Sequence, residues 1–177
     1  MQLTKNLPVA SGIGGGSSDA ATTLRLLEDF TGIYLAEEDL HALALTLGAD
    51  VPVCLFLEPQ IMRGIGGDLS AGPDLPACGI VLVNPRVGVS TPEVFKSMEQ
   101  RDNAPMDLMP EKFETLASLV AYLASCRNDL QDPAKDLCPE IGQVLSELEA
   151  DTRIDLARMS GSGATCFGLC ELNAAMD

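Results

Sequence analysis

The amino-acid sequence predicts an α+β protein, and three observations predict it. Four stretches carry apolar residues at helical spacing and end on clear stop signals, and four short runs rich in β-branched or apolar residues lie between and after them. Helices and strands do not alternate in the regular order that builds a parallel βαβ sheet. With 177 residues, 46% of them hydrophobic and 21% charged, the chain is long enough for one good core or two small ones.

Taken in order, the first helix follows the Gly-Ser stretch "GIGGGSS" and runs to about Phe30, with Ala20, Leu24 and Leu27 on one face and Gly32 ending it. The second has a full stripe, Leu40, Leu43, Ala44 and Leu47, closed by Gly48. The strand-like runs "IMRGI" and "GIVLVNP" come next, bounded by Gly or Pro. The polar segment "MEQRDNAPMDLMPEKF" holds two prolines and reads as a linker. Beyond it the stripe returns at Leu116, Leu119, Val120 and Leu123, and again at Ile141, Val144, Leu145 and Leu148. The runs "IDLARMS" and "ATCFGL" close the series, and the sequence contains no internal repeat.

Charge and composition narrow the function. A formal net charge of -15 with eleven Lys and Arg argues against a nucleic-acid or anionic-membrane surface, since both demand a basic stripe. No run reaches the ~18 apolar residues of a membrane helix and no signal segment opens the chain, so the expectation is a soluble, cytoplasmic protein. Six cysteines without CxxC spacing and a single histidine, His41, make a structural zinc site improbable and read as reduced, buried thiols.

The glycine-rich stretch carries the first chemical signal. A Walker A loop needs a lysine that "GIGGGSSDA" lacks, and a dinucleotide GxGxxG meets Ser17 at its third glycine. There remains a loop whose N–H groups converge on one concavity at a helix N-terminus, which binds phosphate without basic side chains. The alternative is a flexible connector with Ser18 as N-cap.

Three further stretches are candidates. Asp50 sits between Gly48 and Val51-Pro52 on a turn from which a carboxylate can project, or from which it caps an Asx-type turn. In "GVSTPEVFK", Ser90 and Glu93 have capping-box spacing, Pro92 also suits a first turn after a Thr91 cap, and Thr91 and Phe95 share a helix face. A buried core phenylalanine is the alternative for Phe95. Gly161, Ser162 and Gly163 form a tight turn between two strand-like runs, with an ordinary β-turn as the alternative. No GxSxG elbow is present, and a hydrolytic triad would have to recruit His41 from a remote helix.

Four of these stretches, "LPVASGIGGGSSDAATTL", "LTLGADVPVCL", "GVSTPEVF" and "RMSGSGATCFGL", resemble in the same order the motifs of the GHMP kinases, small-molecule kinases that use a Gly-Ser loop in place of a P-loop. The triple glycine followed by Ser-Ser is similar to the branch that phosphorylates the 2-hydroxyl of 4-diphosphocytidyl-2-C-methyl-D-erythritol in non-mevalonate isoprenoid-precursor synthesis. The resemblance implies ATP bound by Pro8, Val9, Ala10, Ser11, Gly12, Ile13, Gly14, Gly15, Gly16, Ser17 and Ser18, with Mg²⁺ arriving on the ATP and touching Ser17 or Ser18. It implies Asp50 as the general base, with Thr91, Phe95, Gly161, Ser162 and Gly163 beside the substrate and the Phe95 ring against the cytosine.

By the same resemblance, residues 1–74 are the remainder of an ATP-binding, phosphate-loop domain. Residues 75–177 are then a substrate-side domain with a C-terminal α/β sandwich. Kinases of this family carry a catalytic lysine, an aromatic residue and a histidine ahead of the loop, and Lys5 does not match that lysine. The expectation is therefore an internal portion of a kinase with an incomplete N-terminal half and exposed sheet edges that favour self-association. Three other readings stay open. They are a nucleotide-binding chain with little or no catalysis, another GHMP small-molecule kinase, and a structural or interaction domain that binds no nucleotide.

Overall fold

The computed structural model describes residues 2–6 and 12–176, so Pro8, Val9, Ala10 and Ser11 of the expected ATP loop lie outside the described residues. The chain divides into two units, one formed by Gly14–Asp74 and the other by Leu75–Asp177 together with residues up to Ile13.

In the Gly14–Asp74 unit, α1 spans Gly15–Thr31 and is capped at Gly14, four residues earlier than a Ser18 cap requires, with Gly14 in the left-handed conformation. Gly32 ends it as expected, at φ 69 with its N–H on the Glu28 carbonyl. α2 spans Glu37–Leu47, and Gly48 follows in an extended conformation, so it stops this helix without a left-handed cap. Of the α2 stripe only Leu40 and Ala44 are buried, while Leu43 and Leu47 stay exposed. Ala21, Ala44 and Val51 form a small core, with Ala20, Leu24, Cys54 and Leu55 packed on it. Around that core Leu27, Phe30, Ile33 and Leu57 are exposed, Phe30 at 88% and Leu57 fully. β1 (Gln60–Arg63) takes up the "IMRGI" run, and β2 (Asp68–Ala71) pairs with it as an antiparallel hairpin.

The other unit is built on three antiparallel strands. β3 (Gly79–Val83) leads to α3 (Thr91–Ser97), α4 (Leu116–Ser125), α5 (Gln131–Leu137) and α6 (Pro139–Ala150), then β4 (Ile154–Met159) and β5 (Cys166–Cys170). The strand order is β3-β5-β4. Alternation along β4 and β5 places apolar residues on both faces: Leu156, Phe167 and Leu169 meet Leu116 and Leu119 of α4, while Ile80 and Leu82 of β3 stay exposed. Ala157, Met159 and Cys166 meet Ala134, Ile141, Leu145 and Leu148 of α5 and α6. The result is helix, sheet and helix in three layers, the α/β sandwich that the family resemblance implies.

The "MEQRDNAPMDLMPEKF" segment is not a linker between units. Phe113, 4% exposed, and Met109 pack into the α4 core, and the Arg127 guanidinium donates to the Ala104 carbonyl. Its polarity reflects an irregular backbone lying on the surface of one unit, where prolines are tolerated.

Candidate functional site

The chemistry-bearing residues fall into two groups, one in each unit. In the Gly14–Asp74 unit, α1 starts on a bare N-terminus. Gly14 (φ 68) supplies no side-chain cap, and the first turn contains no acidic residue. The Ser18 N–H bonds to the Gly14 carbonyl at 2.9 Å, which leaves the N–H groups of Gly15, Gly16 and Ser17 without helical partners. Those donors, the positive end of a 17-residue helix and the hydroxyls of half-buried Ser17 and exposed Ser18 make a setting that favours an anion.

Asp50 lies on the turn after α2, and its position is fixed by its neighbours. Val51 is 2% exposed and packs in the core with Ala21 of α1, and Pro52 is fully buried ahead of a 3₁₀ turn at Val53–Leu55. From the other side the hairpin turn closes in. Gly66 has φ 95, and a Cβ there would overlap the Ala49 carbonyl, one residue before Asp50. The Asp50 carboxylate is exposed, and no hydrogen bond to backbone ties it among the described residues, so the Asx-cap alternative lacks its bond. Burial, and after it the Asp50 charge, push the Cys54 thiol up from its ordinary value.

In the other unit the glycine turn organises the site. Gly161 (φ 53) and Gly163 (φ 89) both adopt left-handed angles, and the turn closes with Gly163 N–H on the Ser160 carbonyl at 3.0 Å. The Ser162 hydroxyl, nearly buried, meets the Thr91 hydroxyl at 2.7 Å. Neither Thr91 nor Ser90 caps α3 through a side chain: Ser90 occupies the N-cap without such a bond, and Thr91 is the first helical residue with its oxygen engaged across the unit. Phe95, one turn further along α3, is 49% exposed, which rules out the buried-core alternative. Gly12 (φ 76) lies directly on this turn. A Cβ there would overlap the Gly163 carbonyl and come within 2.8 Å of the Ser160 carbonyl, while the Ser160 hydroxyl donates to the Gly12 carbonyl at 2.9 Å.

The sequence motifs at Gly12, Thr91 and Gly161–Gly163, far apart in sequence, thus meet in one unit, while Gly14–Ser18 and Asp50 share the other. Sequence reasoning missed four contributors. Gly66 seats the Asp50 turn, Ser160 seats Gly12, and Asn84 donates to the Thr165 hydroxyl at 2.8 Å beside the glycine turn. Asn128, the fourth, bonds two carbonyls of the turn region. Only Gly66 left a local trace, in the glycine pair of "GIGGD" between two strand-like runs.

Comparison with known proteins defines the class. The description "GHMP kinases N terminal domain" matches residues 1–58 and "GHMP kinases C terminal" matches residues 111–176, and the chain belongs to the GHMP kinase family. Within it, the chain is similar to the 4-diphosphocytidyl-2-C-methyl-D-erythritol kinase of Rhizobium johnstonii, at 53% identity over 175 residues, 99% of this chain and 57% of that kinase. The kinase of the same name from Sinorhizobium medicae is 55% identical over 169 residues, covering 96% and 55%. A crystal structure of 4-(cytidine 5'-diphospho)-2C-methyl-D-erythritol kinase superimposes with a TM-score of 0.72 at 33% identity, covering 97% of this chain and 62% of that one. The chain spans between half and two thirds of the length of these relatives. Among the described residues no helix is long and apolar enough to cross a membrane.

Proposed function

We propose that this chain carries the phosphate site and the catalytic carboxylate of an ATP-dependent kinase that phosphorylates the 2-hydroxyl of 4-diphosphocytidyl-2-C-methyl-D-erythritol, in the cytoplasmic synthesis of isoprenoid precursors. The observation that carries the reading is the bare, acid-free N-terminus of α1 behind a run of glycines, in the same unit as an exposed Asp50 whose turn packs through Val51 on Ala21 of α1. In it, residues 1–74 serve the nucleotide and residues 75–177 the substrate.

Each residue then has a task. Backbone N–H groups along Val9–Ser18, behind Pro8, hold the phosphates, and Ser17 or Ser18 offers a hydroxyl to Mg²⁺. Bound ATP supplies the phosphoryl group, and Mg²⁺ offsets its charge. Asp50 orients the substrate hydroxyl and accepts its proton. Phe95 presents half its surface for stacking on the cytosine base, and the Thr91–Ser162 pair with Gly161 and Gly163 forms the wall against which the substrate lies. The exposed apolar side chains around Phe30 support self-association, which sedimentation over a concentration series measures.

The test is transfer from labelled ATP to the diphosphocytidyl substrate by the chain and by Asp50→Asn. The amide keeps the size of the carboxylate but takes no proton, so transfer should fall by about 100- to 10,000-fold. Asp50→Asn turning over within a few-fold of the parent would remove Asp50 from the chemistry. MgATP binding without any transfer by the parent would favour the non-catalytic nucleotide-binding reading.

A further inference from the structure

One side chain grips the glycine turn from behind. Asn128, between α4 and α5, donates from Nδ2 to the Met159 carbonyl at 3.1 Å and to the Gly161 carbonyl at 2.8 Å. Its Oδ1 accepts from the Leu130 N–H at 3.0 Å, at the start of α5. The next residue but two continues the clamp, with Gln131 Oε1 accepting from the Met159 N–H at 3.1 Å. A primary amide supplies two donors and an acceptor in one plane, and at this reach no other neutral side chain does.

The grip reaches further than α5. The turn it holds is the surface on which Gly12 rests, through the Gly163 and Ser160 carbonyls and the Ser160 hydroxyl. The same turn presents the Ser162 hydroxyl to Thr91. A displacement of the Gly161 carbonyl therefore moves both the first glycine of the loop and the candidate substrate wall. We infer that Asn128 is a positioning residue: it fixes residues 160–163 and through them Gly12, the first glycine of the phosphate loop, and so sets the affinity for nucleotide. The inference rests on the loop being the phosphate site.

Asn128→Asp separates this role from a purely structural one. The carboxylate keeps an acceptor for the Leu130 N–H, but replaces two donors by an oxygen facing two carbonyls. Asn128→Ser removes the amide with its pair of donors, leaving one shorter hydroxyl and no added charge, and covers the case in which the first variant fails to fold. Two readouts are taken on the chain, MgATP affinity by calorimetry and site-resolved amide exchange. The affinity should fall about tenfold, the effect of one misplaced hydrogen bond. Exchange should quicken at Ser160 and Gly163, whose N–H groups bond to the Thr165 and Ser160 carbonyls, and stay constant along α1 and α6.

Unchanged exchange at Gly163 in both variants would overturn the inference, and so would faster exchange with parent-like affinity, the signature of a merely structural clamp. A parent that binds no MgATP removes the phosphate-site reading and with it the affinity half of the inference. Unchanged exchange in both variants of a parent that binds MgATP removes the inference alone.

Discussion

Gly12 and Gly14 have nearly the same backbone conformation, φ 76 and φ 68, in very different surroundings. Replacing each by alanine separates the cost of the conformation from the cost of close approach. At Gly14 a Cβ meets nothing within 4 Å, so Gly14→Ala pays only for the left-handed region, about 1–2 kcal/mol. At Gly12 the added carbon overlaps the Gly163 carbonyl and stands 2.8 Å from the Ser160 carbonyl, so one segment must move. That adds about 1–3 kcal/mol for forced overpacking, and the displacement also weakens the Ser160 to Gly12 hydrogen bond, worth about 0.5–1.5 kcal/mol. One relaxation relieves both, so the terms overlap, and Gly12→Ala should be less stable than Gly14→Ala by about 1–3 kcal/mol. Urea unfolding followed by circular dichroism measures the difference, with an unchanged m-value as the check that the denatured state is the same. Equal destabilisation by the two substitutions would refute the packing of the loop on the glycine turn.

Three other outcomes are expected. Thr91→Val leaves the nearly buried Ser162 hydroxyl unpaired and should cost about 1–3 kcal/mol, whereas adding Ser162→Ala should recover part of it; additive losses in the cycle would mean that the two hydroxyls do not interact. Gly66→Ala, strained at φ 95 and overlapping the Ala49 carbonyl, should shift the amide resonances of Ala49 and Asp50, and their constancy would free the Asp50 turn from the hairpin. The Arg153 guanidinium, aided by the Arg153 N–H, holds the Asp151 carboxyl at about 2, below its ordinary 3.8. A depressed carboxylate lends the fold stability that is present above its ordinary value and lost as pH falls through about 2. Arg153→Ala should return Asp151 only part of the way, because the backbone donor remains, and a carboxyl NMR titration still centred at about 2 would assign the effect elsewhere.

What was legible in the sequence was what repeats locally. The stripe at Ile141, Leu145 and Leu148 announced α6, because a helix burying one face must repeat its apolar residues every three or four positions. α5 escaped because its buried contacts are Leu130, Ala134 and Cys138, a thin line flanking a proline and two aspartates. β2, "DLSA", was too short and polar to stand out without its hairpin partner. For the candidate site, the Gly-Ser loop, Asp50 and the glycine turn were visible as motifs. Their supports were not, because Asn128 acts on carbonyls more than thirty positions away and Ser160 on one 148 positions away, contacts that leave no local period.

The most direct test of the central claim, that nucleotide phosphates are held by the backbone at the start of α1, is an amide-resolved NMR titration of the chain with MgATP and with adenosine. The account predicts saturable shifts at Gly14, Gly15, Gly16, Ser17 and Ser18 that grow with the number of phosphates and are absent with adenosine. Saturable MgATP shifts elsewhere with those five amides unmoved, or no binding at all, would contradict it.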